Sequence, residues 1–371
     1  MPPKALVAMS GGVDSSVALY MLILAGYECA GATMELLGGA NSENGAPMEQ
    51  LDGSNAENCA TGVLRTASGA DDAREAASRL GVPHYVFDFS ADFRENVIKP
   101  FAAAYAAGLT PNPCVDCNRF LKFGRFMARA SEMGIEYIAT GHYARVERDA
   151  ANGRFLLKKA VDEAKDQSYM LYALKQDQLR RILFPLGGLH KAEVREIAVA
   201  QGFACAQRKE SQDICFVPDG DYAGFIERYT GKAFESGDFV GTDGNILGRH
   251  GGLIRYTVGQ RKGLGLALGK HMYVLAKDAE TNTVTLCEEE KLFTGALNAG
   301  GFNWVACEAP DAPVRLKART RYRQPERWAT VTATSPDTAR VEFDEPQRAI
   351  APGQAVVLYD GETVVGGGRI L

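Results

Sequence analysis

The stretch Lys4-Ala5-Leu6-Val7-Ala8-Met9-Ser10-Gly11-Gly12-Val13-Asp14-Ser15-Ser16 decides how the N-terminal part of the chain folds. Residues 4 to 9 read as a buried strand, the glycines turn the chain, and Ser16 to Leu24 continues as an apolar helix. This order builds an anion site. Small residues at Gly11 and Gly12 let backbone N–H groups approach a phosphate, while Ser10, Ser15 and Ser16 add hydroxyl donors at the helix N-terminus. The loop lacks the Gly-Lys-Ser/Thr ending of a Walker A motif, which disfavours transfer of a γ-phosphate. Asp14 fits better as a residue near magnesium pyrophosphate. The bland alternative is a glycine-serine turn that only caps a helix, and seven residues in register behind a first strand weigh against it.

Outward from this loop, apolar segments at Glu28 to Leu36, His84 to Phe89 and Tyr137 to Thr140 alternate with helical patterns at Asp71 to Leu80, Phe93 to Ala107 and Phe120 to Met133. Strand and helix alternation predicts an α/β domain with a parallel sheet covered on both faces. Leu37 to Ala70 is rich in Gly, Asn, Ser and Ala without periodicity and reads as a long surface insertion. From about Gln212 the pattern changes to glycine-punctuated segments, predicting a small α+β central domain with one helix at Asp221 to Tyr229. After about Thr283, short alternating runs (Val284 to Leu286, Trp328 to Thr334, Ala339 to Phe343, Ala355 to Leu358) predict a C-terminal β-barrel. The expected domains are therefore 1–211, 212–282 and 283–371.

A chain of 371 residues suits two or three such cores. No run of about 18 apolar residues is present, and Met1-Pro2-Pro3-Lys4 has none of the regions of a signal peptide, so a cytoplasmic protein with no membrane partner is expected. The net charge of −5 gives no global sign of nucleic-acid binding, although local basic clusters could still meet phosphates. Eight cysteines are too sparse for a secreted disulfide framework, so any special cysteine is expected to be chemical.

Pro111-Asn112-Pro113-Cys114-Val115-Asp116-Cys117-Asn118 places two thiols in a proline-stiffened loop, ahead of a helix expected to begin near Arg119. A free cysteine of pKa near 8.5 is only about 3% ionised at pH 7, so a helix N-terminus with Arg119 and Lys122 would matter to a nucleophile there. Cys215 lies far downstream at the expected domain junction, in Glu210-Ser211-Gln212-Asp213-Ile214-Cys215-Phe216. The same cysteines also fit half of a zinc site completed by Cys205, Cys215 or a histidine, though Cys-x9-Cys is a poor second half. Cys29, Cys287 and Cys307 sit in apolar patterns and read as core thiols.

The SGGVDSS loop resembles the signature of the ATP pyrophosphatase (PP-loop) superfamily, whose members have an adenine nucleotide alpha hydrolase-like fold and cleave ATP between the α and β phosphates. Further motifs narrow the resemblance. Asn112-Pro113 with Cys117-Asn118, Gly141-His142-Tyr143-Ala144-Arg145, Lys165-Asp166-Gln167-Ser168-Tyr169, Ser211 to Phe216, Tyr256-Thr257-Val258-Gly259-Gln260-Arg261-Lys262-Gly263 and Arg321-Tyr322-Arg323-Gln324 follow one another as in bacterial tRNA-specific 2-thiouridylases. The match spans nearly the whole chain.

This resemblance implies ATP and Mg²⁺ as cofactors, tRNA as substrate through its anticodon loop, and a persulfide donor or carrier protein as partner. It implies that Ala8, Met9, Ser10, Gly11, Gly12, Val13, Asp14, Ser15, Met34 and Gly141 bind ATP, with no metal held by the cysteines. Cys117 would be the nucleophile and Cys215 the persulfide carrier, the two forming a transient disulfide. Asn112, Pro113 and Cys114 would border the target base. His142, Lys165, Asp166, Gln167, Arg321, Tyr322 and Gln354 would contact tRNA. Two features depart from the family pattern: Cys114 is an additional thiol, and the 37–70 insertion is longer than the family requires.

Without the resemblance, His142 reads equally as a strand-end histidine, Lys165 to Gln167 as a solvated turn, and Arg319, Arg321, Arg323 and Arg327 beside Tyr322 and Trp328 as the wet face of a strand. Competing functions are an amidating synthetase that needs neither Cys117 nor Cys215, an RNA-binding module that senses ATP, and a zinc-stabilised scaffold.

Overall fold

The computed structural model describes residues 1–37, 67–207 and 214–371. Most of the insertion expected at 37–70, the 211/212 boundary and residues Glu210 to Asp213 lie outside the described residues. The chain forms two compact units, Met1–Val97 with Cys114–Gly220, and Ile98–Pro113 with Asp221–Leu371.

The first unit is built on a five-stranded parallel sheet. Its strands are β1 (Lys4–Ala8), β2 (Glu28–Glu35), β3 (His84–Asp88), β4 (Tyr137–Ala139) and, beyond a hairpin of β5 (Arg145–Arg148) and β6 (Phe155–Lys158), β7 (Ile182–Leu183). The spatial order is β3-β2-β1-β4-β7, every pairing being parallel. Ala5, Leu6 and Val7 are wholly buried, as an uninterrupted apolar strand at the centre of a parallel sheet must be. Strand order reverses between β1 and β4, and in such sheets the crevice at the carboxyl ends of the reversing strands is where ligands bind. The SGGVDSS loop leaves β1 there, and Gly141-His142 leaves β4.

Helix α1 (Val13–Leu24) and helix α2 (Ala67–Arg79) cover the sheet. Val17, Ala18 and Leu19 of α1 share one core with Ala73 and Ala77 of α2 and with Val194 and Ala198 of the helix Lys191–Ala200. A second covering run, Pro113–Asp116, Cys117–Arg125 and Phe126–Glu132, carries the two neighbouring cysteines, and its middle section is a π-helix.

In the second unit, β8 (Gly237–Gly241), β9 (Ile246–His250), β10 (Tyr273–Asp278) and β11 (Thr283–Cys287) pair in the order β10-β11-β8-β9 around Phe239, Tyr256 and Val274. Val284 to Leu286, expected to open the barrel, instead lies in β11 of this smaller sheet, paired with both β8 and β10. A short alternating run reads the same in either sheet. The barrel is formed by β12 (Phe293–Trp304), β13 (Val314–Arg319), β14 (Arg327–Ser335), β15 (Thr338–Arg348), β16 (Ala355–Asp360) and β17 (Thr363–Ile370). Pairing runs β12-β15-β14-β13-β16-β17, and β12 with β17 closes the ring. The fold is thus α/β with a parallel sheet, then a small α+β region, then a C-terminal β-barrel.

Candidate active site

The phosphate loop is held in shape by its own serines. Gly12 N donates to Ser10 Oγ (3.2 Å), Ser10 N donates to Ser15 Oγ (3.2 Å), and the Ser15 and Ser16 hydroxyls donate to Gly12 O (both 3.1 Å). Gly12 caps α1, so the amides of Val13, Asp14 and Ser15 are first-turn amides with no acceptor inside the helix. These are the donors an anion would meet. Gly11 has φ +73°, and a Cβ there would come within 2.6 Å of Gly69 O and 2.7 Å of Asp72 Cβ. Only glycine allows α2 to pack so close to the turn. A Cβ on Gly141 would stand 2.9 Å from the Asp14 backbone carbon and 3.0 Å from Ser15 N. The two loops at the switch point therefore meet through the absence of a side chain. Ala8, Met9 and Met34, at or near the ends of β1 and β2, are buried.

Asp14 is more tightly held than its sequence suggests. Lys191 Nζ donates to both carboxylate oxygens, at 2.7 and 2.8 Å, and Tyr143 OH donates to Oδ1 at 2.8 Å. Lys191 comes from the helix Lys191–Ala200, which buries Val194 and Ala198 against α1. Its backbone N–H is bound by Asp162 Oδ2 at 2.9 Å. Sequence reading missed Lys191 because 177 residues separate it from Asp14 and no motif marks it; the visible signal is a lysine beginning an amphipathic helix, where the dipole disfavours a cation.

A magnesium ion held by the protein itself would need free oxygen ligands. Asp14, the loop's carboxylate, has both oxygens engaged by Lys191 and one by Tyr143, and among the described residues no group of three or more His, Cys, Asp or Glu side chains is placed to hold a metal. These residues do not fit a protein-held magnesium site.

The cysteine segment differs from its expected form. The helix begins at Pro113, whose missing N–H does no harm in a first turn, rather than near Arg119. Cys117 consequently lies inside the helical run, 7% exposed, and not ahead of an N-terminus. Burial pushes its thiol up to about 11, against the downward pull of Lys122 and with small upward contributions from Cys114 and Asp116. Activation by an N-terminus is replaced by a protonated, inaccessible thiol. Lys122, five residues on in the same π-helix and itself buried, is close enough to Cys117 to act on its thiol electrostatically. Cys114 is half-buried. Asn118 donates to Met170 O at 3.0 Å, tying this helix to the Lys165–Tyr169 motif.

His142 is buried between Phe123 and Phe184, its ring nitrogen Nδ1 2.7 Å from Thr140 Oγ1. Burial first, and then the charge of Lys122, holds it well below the usual histidine range and hence neutral at pH 7. Asp166 is also buried, accepting from Ala160 N, Ser168 N and Ser168 Oγ, and Gln167 Oε1 accepts from Tyr143 N at 2.9 Å. Lys165 is half-buried. Cys215 is half-buried, and the chain just after it is anchored by Phe216, packed edge-on against Phe93 at 5.5 Å.

In the second unit, Gln354 Nε2 donates to Thr110 O at 2.9 Å, so this residue and the Asn112-Pro113 segment are brought together. Arg321 donates to Val258 O and Ala349 O and, with Tyr322, lies in the turn between β13 and β14 rather than on a strand.

Residues 3–219 match the family model described as tRNA methyl transferase HUP domain, residues 223–288 the tRNA methyl transferase PRC-barrel domain, and residues 294–370 the aminomethyltransferase beta-barrel domain. A protein of Acetivibrio thermocellus named tRNA-specific 2-thiouridylase MnmA is 47% identical over 367 residues, 99% of each chain. A protein of the same name from Clostridioides difficile is 44% identical, over 100% of this chain and 98% of that one. Among solved structures, the U34-tRNA thiolase NcsA from Methanococcus maripaludis matches 61% of this chain and 66% of its own at 15% identity and a TM-score of 0.33, too slight a likeness to argue from.

Proposed function

The chain belongs to the tRNA-specific 2-thiouridylase family, and on that footing we propose that it thiolates C2 of uridine 34, the wobble base of a tRNA anticodon, at the expense of ATP. The observation that carries this reading is the loop at the sheet's switch point, with unspent helix amides and no Walker lysine, in the same compact unit as Cys117 and Cys215.

The chemistry explains why these parts belong together. A pyrimidine C2 oxygen leaves badly, and adenylation makes it the leaving oxygen of AMP. ATP bound by Ala8 to Ser15, Met34 and Gly141 would be cut between its α and β phosphates, releasing pyrophosphate. Magnesium would travel with the ATP phosphates. The terminal sulfur of a Cys215 persulfide then attacks C2 and AMP departs. The Cys117 thiolate attacks Cys215 Sγ, which breaks the bond to the transferred sulfur and leaves a Cys117–Cys215 disulfide. An external thiol reduces it for the next cycle.

The target base must leave its stack, at a few kcal/mol, least in a single-stranded loop. Asn112, Pro113 and Cys114 would receive it, while His142, Lys165, Asp166, Gln167, Arg321, Tyr322 and Gln354 would shape the tRNA surface. A carrier protein would supply the persulfide. No helix among the described residues is long and apolar enough to cross a membrane, which is compatible with work in the cytoplasm.

The test is nucleoside mass spectrometry of tRNA incubated with the protein, ATP, Mg²⁺ and a persulfide donor. The expected product is 2-thiouridine at position 34, and its absence overturns the reading.

A further inference from the structure

Lys122 is 9% exposed, and among the described residues no carboxylate or other acceptor pairs with it. A lysine so deep is almost always paired, because an ammonium taken out of water without a partner is strongly unfavourable. It lies in the π-helix Cys117–Arg125, a form often found at functional positions, five residues after Cys117. Its charge reaches two groups. It pulls the Cys117 thiol down, against the burial that pushes it up to about 11, and it pulls down His142, whose ring packs against Phe123. A neutral imidazole offers the ammonium no anion. Of the groups that act on the Cys117 thiol, Lys122 alone favours the thiolate; Cys114 and Asp116 oppose it. Asn118, next to Cys117, donates from Nδ2 to Met170 O and leaves its buried Oδ1 without a donor, so this helix keeps unspent polar groups at two positions in the resting fold.

We propose that Lys122 is a catalytic residue of the sulfur-transfer step, its ammonium being the counter-charge of the Cys117 thiolate that attacks Cys215 Sγ. The inference deepens the reading that Cys117 resolves a Cys215 persulfide, and it rests on that reading. In the step, the Cys117 proton passes to solvent and the thiolate bonds to Cys215 Sγ. The bond from Cys215 Sγ to the transferred sulfur breaks, its electron pair goes to that sulfur, and the base takes up a proton to become 2-thiouridine. The two cysteines end oxidised as a disulfide, and the transferred sulfur ends reduced. Lys122 transfers no proton. An ammonium already neutralised by a carboxylate would do little for a thiolate, whereas an unpaired one in a dry site stabilises it strongly as soon as it forms.

The experiment follows single-turnover thiolation of tRNA by the full-length enzyme, preloaded with persulfide, and by its Lys122→Met and Lys122→Gln variants between pH 7 and 9.5, alongside pyrophosphate release and thermal melting. A cation beside a thiol changes its ionised fraction by about ten- to a thousandfold at fixed pH. Each variant is therefore expected to lose at least about tenfold in thiolation rate at pH 7, to lose far less in pyrophosphate release, and to level off at a pH at least about one unit higher than wild type. Lys122→Met removes an unpaired buried charge, so it is expected to melt no lower than wild type, which a lysine kept for stability would not allow. The glutamine variant repeats the test with a polar tip, and either folded variant decides it. A thiolation rate within about threefold of wild type at pH 7 overturns the proposal. So does an equal loss of thiolation and pyrophosphate release with the pH dependence unchanged, which would make Lys122 a structural support. If the wild-type enzyme forms no 2-thiouridine, or forms it without a Cys117–Cys215 disulfide, the underlying reading fails first, and the role of Lys122 falls with it.

Discussion

The phosphate loop and the cysteine helix belong to the same compact unit but stand at different stages of readiness. At the loop, serine bonds fix the turn, amides point outward and Lys191 is already seated on Asp14. At the helix, Cys117 is buried and its thiol is pushed up to about 11. The difference teaches an order of events. A resting enzyme with an ionised, accessible thiol would invite oxidation and misdirected sulfur chemistry, whereas a protonated Cys117 waits until something changes its surroundings. Adenylation needs no such change. On this view ATP binding is a property of the resting fold, and thiol activation is a property of the loaded complex.

The largest effect that would sharpen this contrast comes from removing the sulfur side altogether. Cys117→Ser and Cys215→Ser are each expected to lower multiple-turnover thiolation by more than about 1000-fold, since neither hydroxyl can close the disulfide that frees the sulfur. Pyrophosphate release, measured in the same reactions, is expected to fall far less. Full thiolation by either variant would remove the assigned division of labour between the two cysteines.

Next comes the state of Cys117 itself. At pH 7 a thiol near 11 is about 100-fold less ionised than one at the ordinary 9.0, so alkylation of Cys117 by iodoacetamide should be at least about 100-fold slower in the folded protein than in the denatured chain. Because the folded pKa is raised, the rate should climb about tenfold per pH unit from pH 7 to 10, and addition of tRNA with ATP should raise it at fixed pH. Equal labelling of Cys117 in the folded and denatured protein at pH 7 would mean that the resting thiol is already activated, and the contrast would dissolve.

On the phosphate side, Gly141→Ala pushes a methyl against the Asp14 backbone carbon and Ser15 N. A clash with backbone cannot be relieved by turning a rotamer, so the loop must move. Pyrophosphate release is expected to drop by tens of fold, with global melting shifted by only a few degrees. Unchanged release would show that the loop is not preset by this contact.

Much of this arrangement was legible in the sequence, and the parts that were not share a physical cause. An uninterrupted apolar run before two glycines specifies a central parallel strand and its loop without further help, because period and turn chemistry are local. The junction of Gly141 with Asp14 follows once strand order is known, but order is a property of the whole sheet. Lys191 shows in the sequence only as a lysine at a helix start, and its partner does not show at all, because that partner is chosen by the packing of Val194 and Ala198 on α1. The helix start at Pro113 is hidden for the opposite reason: a proline that stiffens a loop equally suits a first helical turn. That single shift carries Cys117 from an N-terminus into an interior and reverses the expected direction of its pKa.

The smallest predicted effect concerns how tRNA is held, and it again sets a focused site against a diffuse one. At the phosphate loop Lys191 is buried on Asp14, whereas Arg319 and Arg321 near the barrel's β13–β14 turn are committed within the protein. Arg319 pairs with Glu326 at 3.0 Å and Arg321 donates to two carbonyls, while Arg323 and Arg327 are exposed, as is Trp328, 50% exposed with Arg315 and Lys317 over its ring. Each phosphate neutralised adds about 0.7 to 0.9 to the slope of log affinity against log salt. Two or three such contacts predict a loss of about tenfold in tRNA affinity between 50 and 200 mM salt, measurable by filter binding. A flat response would place recognition in stacking and shape alone, and a loss of several thousandfold would require cations from elsewhere on a chain whose net charge is −5.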